Sequence, residues 1–310
     1  MQQEETYFFG IKQLTVGYQN ISVVQDVNVS LAQGEILTLI GGNGAGKSTI
    51  LKSIMGQLKP LTGVVCLEEN SIHEMAAAKR AQDMAVVLTE RVKGEYMTCE
   101  DVVSMGRYPY TGTLGILSPA DKEKVRQTME LVGIAALADK DFSTLSDGQK
   151  QLTMLARALC QEPKLLILDE PMSGLDPMGR RDVREAIMEL NRTGVTIFYS
   201  SHLLSDVESI SHKVAMIVDG KIVREGTVDE ITDSCGVEYH VRTREAIPQA
   251  ELPEGVRSAG HPQECVCADD AARDRLLRYC LDKGIAVERM DHKRPSLEDI
   301  LTEEIARADA

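Results

Sequence analysis

The sequence predicts an α/β protein with a mostly parallel core sheet, a β-rich N-terminal part, a helical insert and a small α+β C-terminal domain. Three observations lead to this fold class. Apolar runs typical of buried strands alternate with helical patterns up to residue 202, which is typical of parallel sheets. Residues 7–31 are β-rich instead, and the stretch 98–160 is mostly helical. After about residue 230 the pattern resets to short strands and helices.

The composition is that of an ordinary globular protein and argues against several classes. Of 310 residues, 43% are hydrophobic and 26% are charged. The formal net charge of -14 argues against nucleic-acid binding, which needs a basic face to release counterions. No apolar run approaches the length of a membrane span, and residues 1–5 do not resemble a signal peptide. We therefore expect a cytoplasmic protein whose role at a membrane is peripheral.

The seven cysteines predict reduced thiols in a cytosolic protein. They are odd in number and scattered along the chain. Cys265 and Cys267 are the one close pair, and their alternation favours a strand. A metal site is the alternative there, but zinc would need two further ligands at familiar spacing.

The β-rich opening contains three apolar segments, residues 8–11, 14–16 and 27–31, with a turn expected at residues 18–20. A further strand is expected near residues 63–67, a short helix at 76–80 and a buried strand at 84–88. Together these segments precede the helical insert.

Residues 41–49 read GGNGAGKST and fit the pattern G-x-x-x-x-G-K-[ST]. The apolar run 35–40 before them predicts a strand, and residues 50–55 after them predict a helix that ends at Gly56. Such a strand, glycine-rich turn and helix N-terminus form an anion site, because backbone N–H groups and the helix dipole both favour phosphate. The alternative is a glycine-rich turn that fits the pattern by chance. The predicted nucleotide-binding residues are Gly41, Gly42, Asn43, Gly44, Ala45, Gly46, Lys47, Ser48 and Thr49.

Two side chains in this loop have specific expected partners. Lys47 would reach the β- and γ-phosphates, and the Ser48 hydroxyl would bind Mg²⁺. We therefore expect ATP and Mg²⁺ as the bound groups.

The helical insert is expected at about residues 98–160. Helices are predicted at residues 99–105 and 120–132, separated by a Gly/Pro/Tyr-rich loop at 106–112. Residues 145–149 read LSDGQ and open a strong helix that runs through residue 159.

Two carboxylates end the apolar strand predicted at residues 165–168. Asp169 would bind Mg²⁺ directly or through water, and Glu170 could polarise an attacking water. A helix at 183–190 and a strand at 196–201 follow, and His202 ends that strand. Ligands bind at the carboxyl ends of parallel strands, so these residues should lie near the phosphates. A solvated strand end is the alternative for the two carboxylates.

The order of these motifs resembles the nucleotide-binding subunits of ATP-binding cassette (ABC) transporters. The resemblance covers about residues 7–230 and implies a P-loop NTPase cassette there, with residues 231–310 as an accessory or regulatory α+β domain. The matching motifs are Tyr18, residues 41–49, LSDGQ at 145–149, Asp169 and Glu170, SGLD at 173–176, and His202.

The resemblance also implies roles for individual residues. Tyr18 would stack on adenine, although a turn tyrosine is usually half-buried packing. Glu170, His202 and Lys47 would be catalytic, with His202 at the γ-phosphate and the attacking water; alone, a strand-end histidine is more often structural. The residues expected to reach the nucleotide of a second subunit, or the seam between subunits, are Ser146, Asp147, Gly148, Gln149 and Asp176.

Two positions depart from the family pattern. Asp147 replaces the first of the two glycines usual in the signature, and Gly148 is kept. The family's glutamine after strand 84–88 is missing, and the chain has Thr89 and Glu90 there. We assign Glu90 to that position, where its carboxylate could bind Mg²⁺ or water and would add negative charge near the phosphates. Thr89 is the alternative.

The subfamily features disagree. Residues 106–112 (GRYPYTG) and 117–121 (LSPAD) resemble ATPases of importers for iron-siderophore, haem and cobalamin complexes. Residues 199–208 (YSSHLLSDVE) and 295–300 (PSLEDI) resemble ATPases of ABC-2-type exporters. We favour import, because the helical insert faces the membrane subunits in this family.

The implied partners are transmembrane permease subunits, a second copy of the chain and a substrate-binding protein in the same complex, with no nucleic acid. The implied location is the inner face of the cell membrane. Three alternatives stay open: an exporter ATPase, a non-transport ABC ATPase that acts on ribosomes or DNA, and a regulatory subunit that hydrolyses little ATP.

Overall fold

The computed structural model describes residues 7–89, 96–112, 115–234, 238–293 and 295–308, except for the side chains of Ser205 and Lys293. The chain divides into two compact units, Met1–Glu225 and Gly226–Ala310. We call them the N-terminal unit and the C-terminal unit. Within the described ranges, no helix is long and apolar enough to cross a membrane.

The N-terminal unit contains an antiparallel sheet, a mostly parallel sheet and a group of helices. Its strands are β1 (Phe9–Tyr18), β2 (Ile21–Leu31), β3 (Ile36–Ile40), β4 (Thr62–Leu67), β5 (Asn70–Ser71), β6 (Met84–Val87), β7 (Leu165–Asp169), β8 (Thr196–Ser201), β9 (Lys213–Val218) and β10 (Lys221–Gly226). Its helices are α1 (Lys47–Ile54), α2 (Ala77–Asp83), α3 (Cys99–Ser104), α4 (Pro119–Leu131), α5 (Asp147–Cys160), α6 (Pro177–Arg192) and α7 (Leu204–Ile210).

The antiparallel sheet has the strand order β2-β1-β4-β5. A two-residue turn joins β1 to β2, with positive φ at both Gln19 and Asn20 (50° and 64°), as a type I′ hairpin requires. The expectation of three short segments was wrong, because β1 and β2 are long and continuous. Bulges keep them paired, with Gln13 and Asp26 in the left-handed region (φ 48° for each).

The second sheet has the order β10-β9-β3-β8-β7-β6. Strands β9, β3, β8, β7 and β6 pair in parallel. The pairing register places Ile40 beside Ser201, and Asp169 beside Ser200. The residues that follow β3, β7 and β8 therefore meet at one edge of the sheet, as predicted for the site.

One apolar core joins the two sheets through α1. Ile50, Leu51 and Ile54 of α1 are fully buried and belong to the same cluster as residues of both sheets. Phe9 of the antiparallel sheet and Phe198 of the parallel sheet pack edge to face, with ring centroids 5.7 Å apart. This packing fixes the helix that begins at Lys47 against both sheets.

The helical insert consists of α3, α4, α5 and short 3-10 turns. The stretch predicted as a loop at residues 106–112 is instead largely a 3-10 helix, Met105–Tyr110. Its Arg107 is buried and bonds to Asp121 Oδ1 (2.9 Å), Glu162 Oε2 (2.8 Å) and the carbonyl of Cys160 (2.8 Å). These contacts hold the segment against α4 and the end of α5, which composition alone did not indicate.

The C-terminal unit has a four-stranded antiparallel sheet with the order β12-β13-β11-β14. Its elements are α8 (Val228–Ser234), β11 (Glu238–Thr243), β12 (Val256–Ser258), β13 (Glu264–Cys267), α9 (Asp270–Lys283), β14 (Val287–Lys293) and α10 (Leu297–Ala308). Strand β12 has only three residues.

The core of this unit contains three thiols, those of Cys265, Cys267 and Cys280, packed with Val241 and Leu276. Cys265 and Cys267 lie in β13, as the alternation predicted. All six cysteines in the described ranges are free, and no group of metal-binding side chains occurs in those ranges. These thiols therefore act as small apolar side chains, and burial raises the pKa of Cys267 to about 11.

Candidate functional site

The glycine-rich loop connects β3 to α1. Gly46 caps α1 with φ 109°, and Gly44 has φ 84°, conformations that favour glycine. A side chain at Gly46 would also collide with Val24, since a Cβ there would lie 2.7 Å from Val24 Cγ2. Gly42 and Gly44 face open space. The first turn of α1 has no acidic residue, so the loop can receive an anion at a helix N-terminus.

The remaining loop residues are held by backbone bonds. The Ala45 N–H donates to Gly42 O (3.3 Å), and Ala45 O accepts from the N–H of Gly220 (3.0 Å). Thr49 is buried, whereas Asn43 and Ser48 are exposed. The Ser48 side chain at the start of α1 is therefore accessible to solvent.

Lys47 is buried and lies over the loop. Its Nζ donates to the carbonyls of Gly41 (2.7 Å) and Gly42 (3.0 Å). Burial lowers the pKa of Lys47, while the charges of Glu170 and Asp169 raise it. The ammonium thus lies within electrostatic range of both carboxylates that follow β7.

Asp169 lies between β6 and β8. Its Oδ1 accepts a hydrogen bond from Ser200 Oγ (2.7 Å), and its backbone carbonyl accepts one from Thr89 Oγ1 (3.0 Å). Glu90 lies outside the described residues, so its assignment stays a prediction.

Glu170 and His202 are in direct contact. His202 Nδ1 lies 3.0 Å from Glu170 Oε2, and both side chains are partly exposed, at 41% and 21%. Glu170 has φ 47°, unusual for a residue other than glycine. Its N–H donates to Ser200 O (3.1 Å) and Ser200 Oγ (3.2 Å), which holds this conformation. Such strain is concentrated at functional sites.

Tyr18 ends β1 and is 45% exposed. Lys52 of α1 places its Nζ 5.8 Å from the centroid of the Tyr18 ring and 3.5 Å from its hydroxyl. The Lys52 ammonium thus lies over the ring of a tyrosine that is still partly exposed.

The signature residues form the N-terminus of α5. Ser146 and Gln149 make a reciprocal capping box: Ser146 Oγ accepts from the Gln149 N–H (3.3 Å), and Gln149 Oε1 accepts from the Ser146 N–H (3.1 Å). Ser146 and Asp147 are exposed.

Asp176 caps α6 by accepting from the Gly179 N–H (2.7 Å). A Cβ on Gly148 would lie 3.1 Å from the Cα of Gly179, so α5 and α6 approach closely at their N-termini. The predicted site residues therefore form two groups, one around Lys47, Asp169, Glu170 and His202, and one at these helix N-termini.

Sequence reasoning missed Lys52 and Ser200. Ser200 bonds to both carboxylate residues, but its position within an apolar strand gave no sign of this. Lys52 belongs to the helix after the glycine-rich loop, and only the hairpin that carries Tyr18 brings the two together. A groove lined by Thr89, Asp147, Lys150 and Glu170 also joins both groups, because β6 ends beside α5.

Comparison with known proteins places the chain in a family. The family model for ABC transporters matches residues 24–173. An ABC transporter ATP-binding protein of Methanocaldococcus jannaschii, itself uncharacterised, is 42% identical over 219 residues, which are 70% of this chain and 76% of the relative. The chain belongs to the ABC transporter ATP-binding proteins. The resemblance inferred from the motifs is thereby confirmed.

Other relatives of this ABC protein are named for the import or transport of iron complexes. The iron(3+)-hydroxamate import ATP-binding protein FhuC of Bacillus subtilis is 35% identical over 71% of this chain and 82% of the relative. The ferric enterobactin transport ATP-binding protein FepC of Escherichia coli is 33% identical over the same shares, 71% and 82%.

Solved structures agree on the fold. The ATP binding subunit of an ABC transporter is 28% identical, with a TM-score of 0.64 over 73% of this chain and 92% of that one. The cbiO1 protein of Clostridium perfringens, part of the ABC transporter complex cbiONQ, is also 28% identical, with a TM-score of 0.66 over 73% and 91%. The predicted cassette fold is confirmed.

Proposed function

We propose that this protein hydrolyses ATP and so powers the uptake of an iron-chelate complex across a membrane. The observation that carries hydrolysis is the contact between Glu170 and His202, which lies beside Lys47 at the carboxyl ends of β7 and β8. A carboxylate held by a neighbouring imidazole near a phosphate-binding loop is suited to activate water.

The residues present fit Mg²⁺ together with ATP. Mg²⁺ prefers one or two protein oxygens, with phosphate oxygens and water completing its octahedron. Ser48 and Asp169 offer two such oxygens, and no larger cluster of metal-binding side chains is found in the described ranges. Bound Mg²⁺ would neutralise charge on the β- and γ-phosphates.

Each catalytic residue then has a distinct task. Lys47 would exchange its loop carbonyls for phosphate oxygens and stabilise charge on the transferring phosphoryl group. Glu170 would accept a hydrogen bond from the attacking water and orient it. His202 would hold Glu170 on one side and the γ-phosphate on the other. Tyr18, flanked by Lys52, would stack on adenine.

We further propose that two copies of the chain close head to tail on two ATP molecules. In the capping box the Ser146 hydroxyl acts as an acceptor, so its proton is available to a γ-phosphate held by the second copy. The N-terminus of α5 adds further donors. Asp176 would lie at the seam between copies, next to Gly148 of the same chain.

The relatives and the helical insert support our proposal for the cargo, the partners and the location. The relatives are named for iron(3+)-hydroxamate and ferric enterobactin transport, and the GRYPYTG segment had favoured an importer. A permease dimer, a substrate-binding protein and the cytoplasmic face of the membrane complete the proposal. An ABC-2-type exporter ATPase is the alternative outcome of the transport test below.

The test of hydrolysis uses Glu170→Gln and Lys47→Ala. Glu170→Gln should bind ATP, accumulate as a dimer in size-exclusion chromatography and release phosphate at least about 100 times more slowly, because loss of one such contribution typically costs this factor. Lys47→Ala should lose ATP binding and turnover together. Glu185→Gln, an exposed carboxylate on α6, is the control. Turnover by Glu170→Gln at the rate of the control would refute the role of Glu170.

The test of transport uses cells that lack this subunit. Uptake of a ⁵⁵Fe-siderophore should return with the wild-type chain and stay absent with Glu170→Gln. Normal iron uptake without the subunit, together with loss of efflux of another compound, would favour the exporter.

A further inference from the structure

We propose that the ion pair between Arg184 and Asp206 is a positioning device for His202. It ties the turn that carries His202 to α6, and so keeps the imidazole aimed at Glu170. The inference deepens the proposed function and rests on it, since it assumes that His202 acts in hydrolysis.

The turn after β8 is closed on one side by Ser201. The Leu203 N–H donates to Ser201 Oγ (2.9 Å), so the chain bends immediately after His202. His202 itself is partly exposed, and its one ion-pair contact within the described ranges is with Glu170. The direction of its side chain therefore depends on where this turn is held.

The other side of the turn continues into α7, a helix of seven residues. Its N-cap, Leu203, makes no side-chain capping bond, so a cap does not fix the start of this helix. Asp206, in the first turn of α7, is 6% exposed and bonds to Nη1 of Arg184 (3.3 Å). Arg184 belongs to α6, so this bond ties the first turn of α7 to α6.

The surroundings make this pair hard to replace. Asp206 Oδ2 is buried and has no hydrogen-bond partner among the residues that the structure describes. Burial raises the pKa of Tyr199 to about 12, and the negative charge of Asp206 adds to this effect. Arg184 is the one cationic partner of Asp206 in the described ranges, so its loss would leave a buried charge uncompensated.

The N-terminus of α6 links the pair to the proposed seam between two copies. That helix begins at the Asp176 cap, which we have placed at the seam between two copies. A shift of α6 when the copies close would be passed through Arg184 to α7 and His202. Through this pair, the orientation of the His202 side chain depends on the position of α6.

The experiment is a double-mutant cycle between Arg184→Gln and His202→Ala in the full chain. Arg184→Gln should lower the turnover number about tenfold while the KM for ATP stays within about twofold, because misplacing a catalytic group affects turnover more than binding. In the His202→Ala background the same substitution should have no further effect. Arg184→Lys should restore part of the turnover.

The matched control is Arg181→Gln, on the same helix. Arg181 pairs with Glu185 at 2.8 Å, and both side chains are exposed. This variant should turn over ATP as the wild type does. An equal loss from Arg184→Gln with and without His202, or a raised KM with unchanged turnover, would overturn the proposal.

A second experiment tests the proposal by structure and does not depend on turnover. A crystal structure of Arg184→Gln, or of Asp206→Asn if the first variant does not fold, should show His202 Nδ1 displaced from Glu170 Oε2, which lie 3.0 Å apart here. An unchanged contact would overturn the positioning role. A wild-type chain that does not hydrolyse ATP at all would instead refute the proposed function.

Discussion

The backbone of Glu170 adopts a conformation that is unfavourable for a residue with a side chain. At φ 47° a residue with a Cβ is less stable than glycine by about 1–2 kcal/mol. The two hydrogen bonds from its N–H to Ser200 hold this conformation in place. The side chain that would activate water is therefore kept at an energetic cost to the fold.

This strain predicts that Glu170→Gly stabilises the N-terminal unit while abolishing hydrolysis. Relief of the left-handed conformation, less the added freedom of glycine in the unfolded chain, should raise the free energy of unfolding by about 1 kcal/mol. Urea denaturation measures this change. Glu170→Gln is the control, because it keeps the same backbone preference and should leave stability unchanged. A glycine variant less stable than this control would mean that the conformation is not strained.

The sequence predicted those site residues that belong to a local motif, because the motif itself determines where they lie in the fold. Lys47 and Asp169 were found because a glycine-rich loop and a strand end place them at one edge of a parallel sheet. Lys52, Ser200 and Arg184 were not found, because each acts through a residue distant in sequence. Their partners are set by packing, which a local pattern does not encode.

Among the elements, the 3-10 helix Met105–Tyr110 has the most unexpected structure. Arg107 is enclosed by Asp121, Glu162 and the Cys160 carbonyl, and its guanidinium lies 4.1 Å from the centroid of the Tyr110 ring. Glycine and proline suggested a loop, and they do prevent a regular α-helix. The segment is nevertheless ordered, because the buried Arg107 has fixed partners in α4 and near the end of α5.

Replacing Arg107 should destabilise the helical insert. Arg107→Met would leave Asp121 buried without its cation, and loss of one partner of a buried pair typically costs about 3 kcal/mol or more. Thermal unfolding of the full chain would measure the loss. Arg126→Met is the control, because Arg126 pairs with Glu123 and Glu130 on an exposed face and should give no measurable change. Equal effects of the two variants would show that burial of Arg107 contributes nothing.

The same cluster predicts a pH dependence. Hydrogen bonds from Ser118 and Arg107 lower the pKa of Asp121. A carboxylate whose pKa is lowered by folding stabilises the fold fully above its unfolded pKa of about 3.9, and this contribution is lost as the pH falls through the folded pKa. Asp121→Asn should therefore lower stability at pH 7 but reduce the dependence on pH below about 4. Denaturation at a series of pH values tests this, and parallel curves for both proteins would contradict it.

At the scale of the whole molecule, the chain consists of two units with separate cores. The sequence placed a change near residue 230, and the compact units divide between residues 225 and 226. Repeated alternation made the parallel sheet predictable. The short strand Val256–Ser258 could not be predicted. Its three residues pair with β13, but a segment of three residues is too short to show a strand pattern.

We predict that a chain ending at Gly226 folds and binds ATP as the full chain does. All residues of the proposed nucleotide site lie before that point, and so does the core that joins the two sheets. Equilibrium binding of a fluorescent ATP analogue measures this affinity, and circular dichroism checks folding. If the shortened chain is folded but does not bind, the C-terminal unit takes part in the nucleotide site. We expect the deletion to alter dimerisation or transport instead.

The buried thiols can report which part of the molecule unfolds first. Cys265, Cys267 and Cys280 are enclosed in the core of the C-terminal unit, whereas Cys99 and Cys160 are enclosed in the helical insert. An alkylating reagent reaches each set only when its surroundings come apart, so pulse labelling followed by peptide mass spectrometry would time the two openings separately. The native cysteines serve as the probes, so no substitution is needed. Bound nucleotide should slow the alkylation of Cys99 and Cys160 without changing that of the three cysteines in the C-terminal unit.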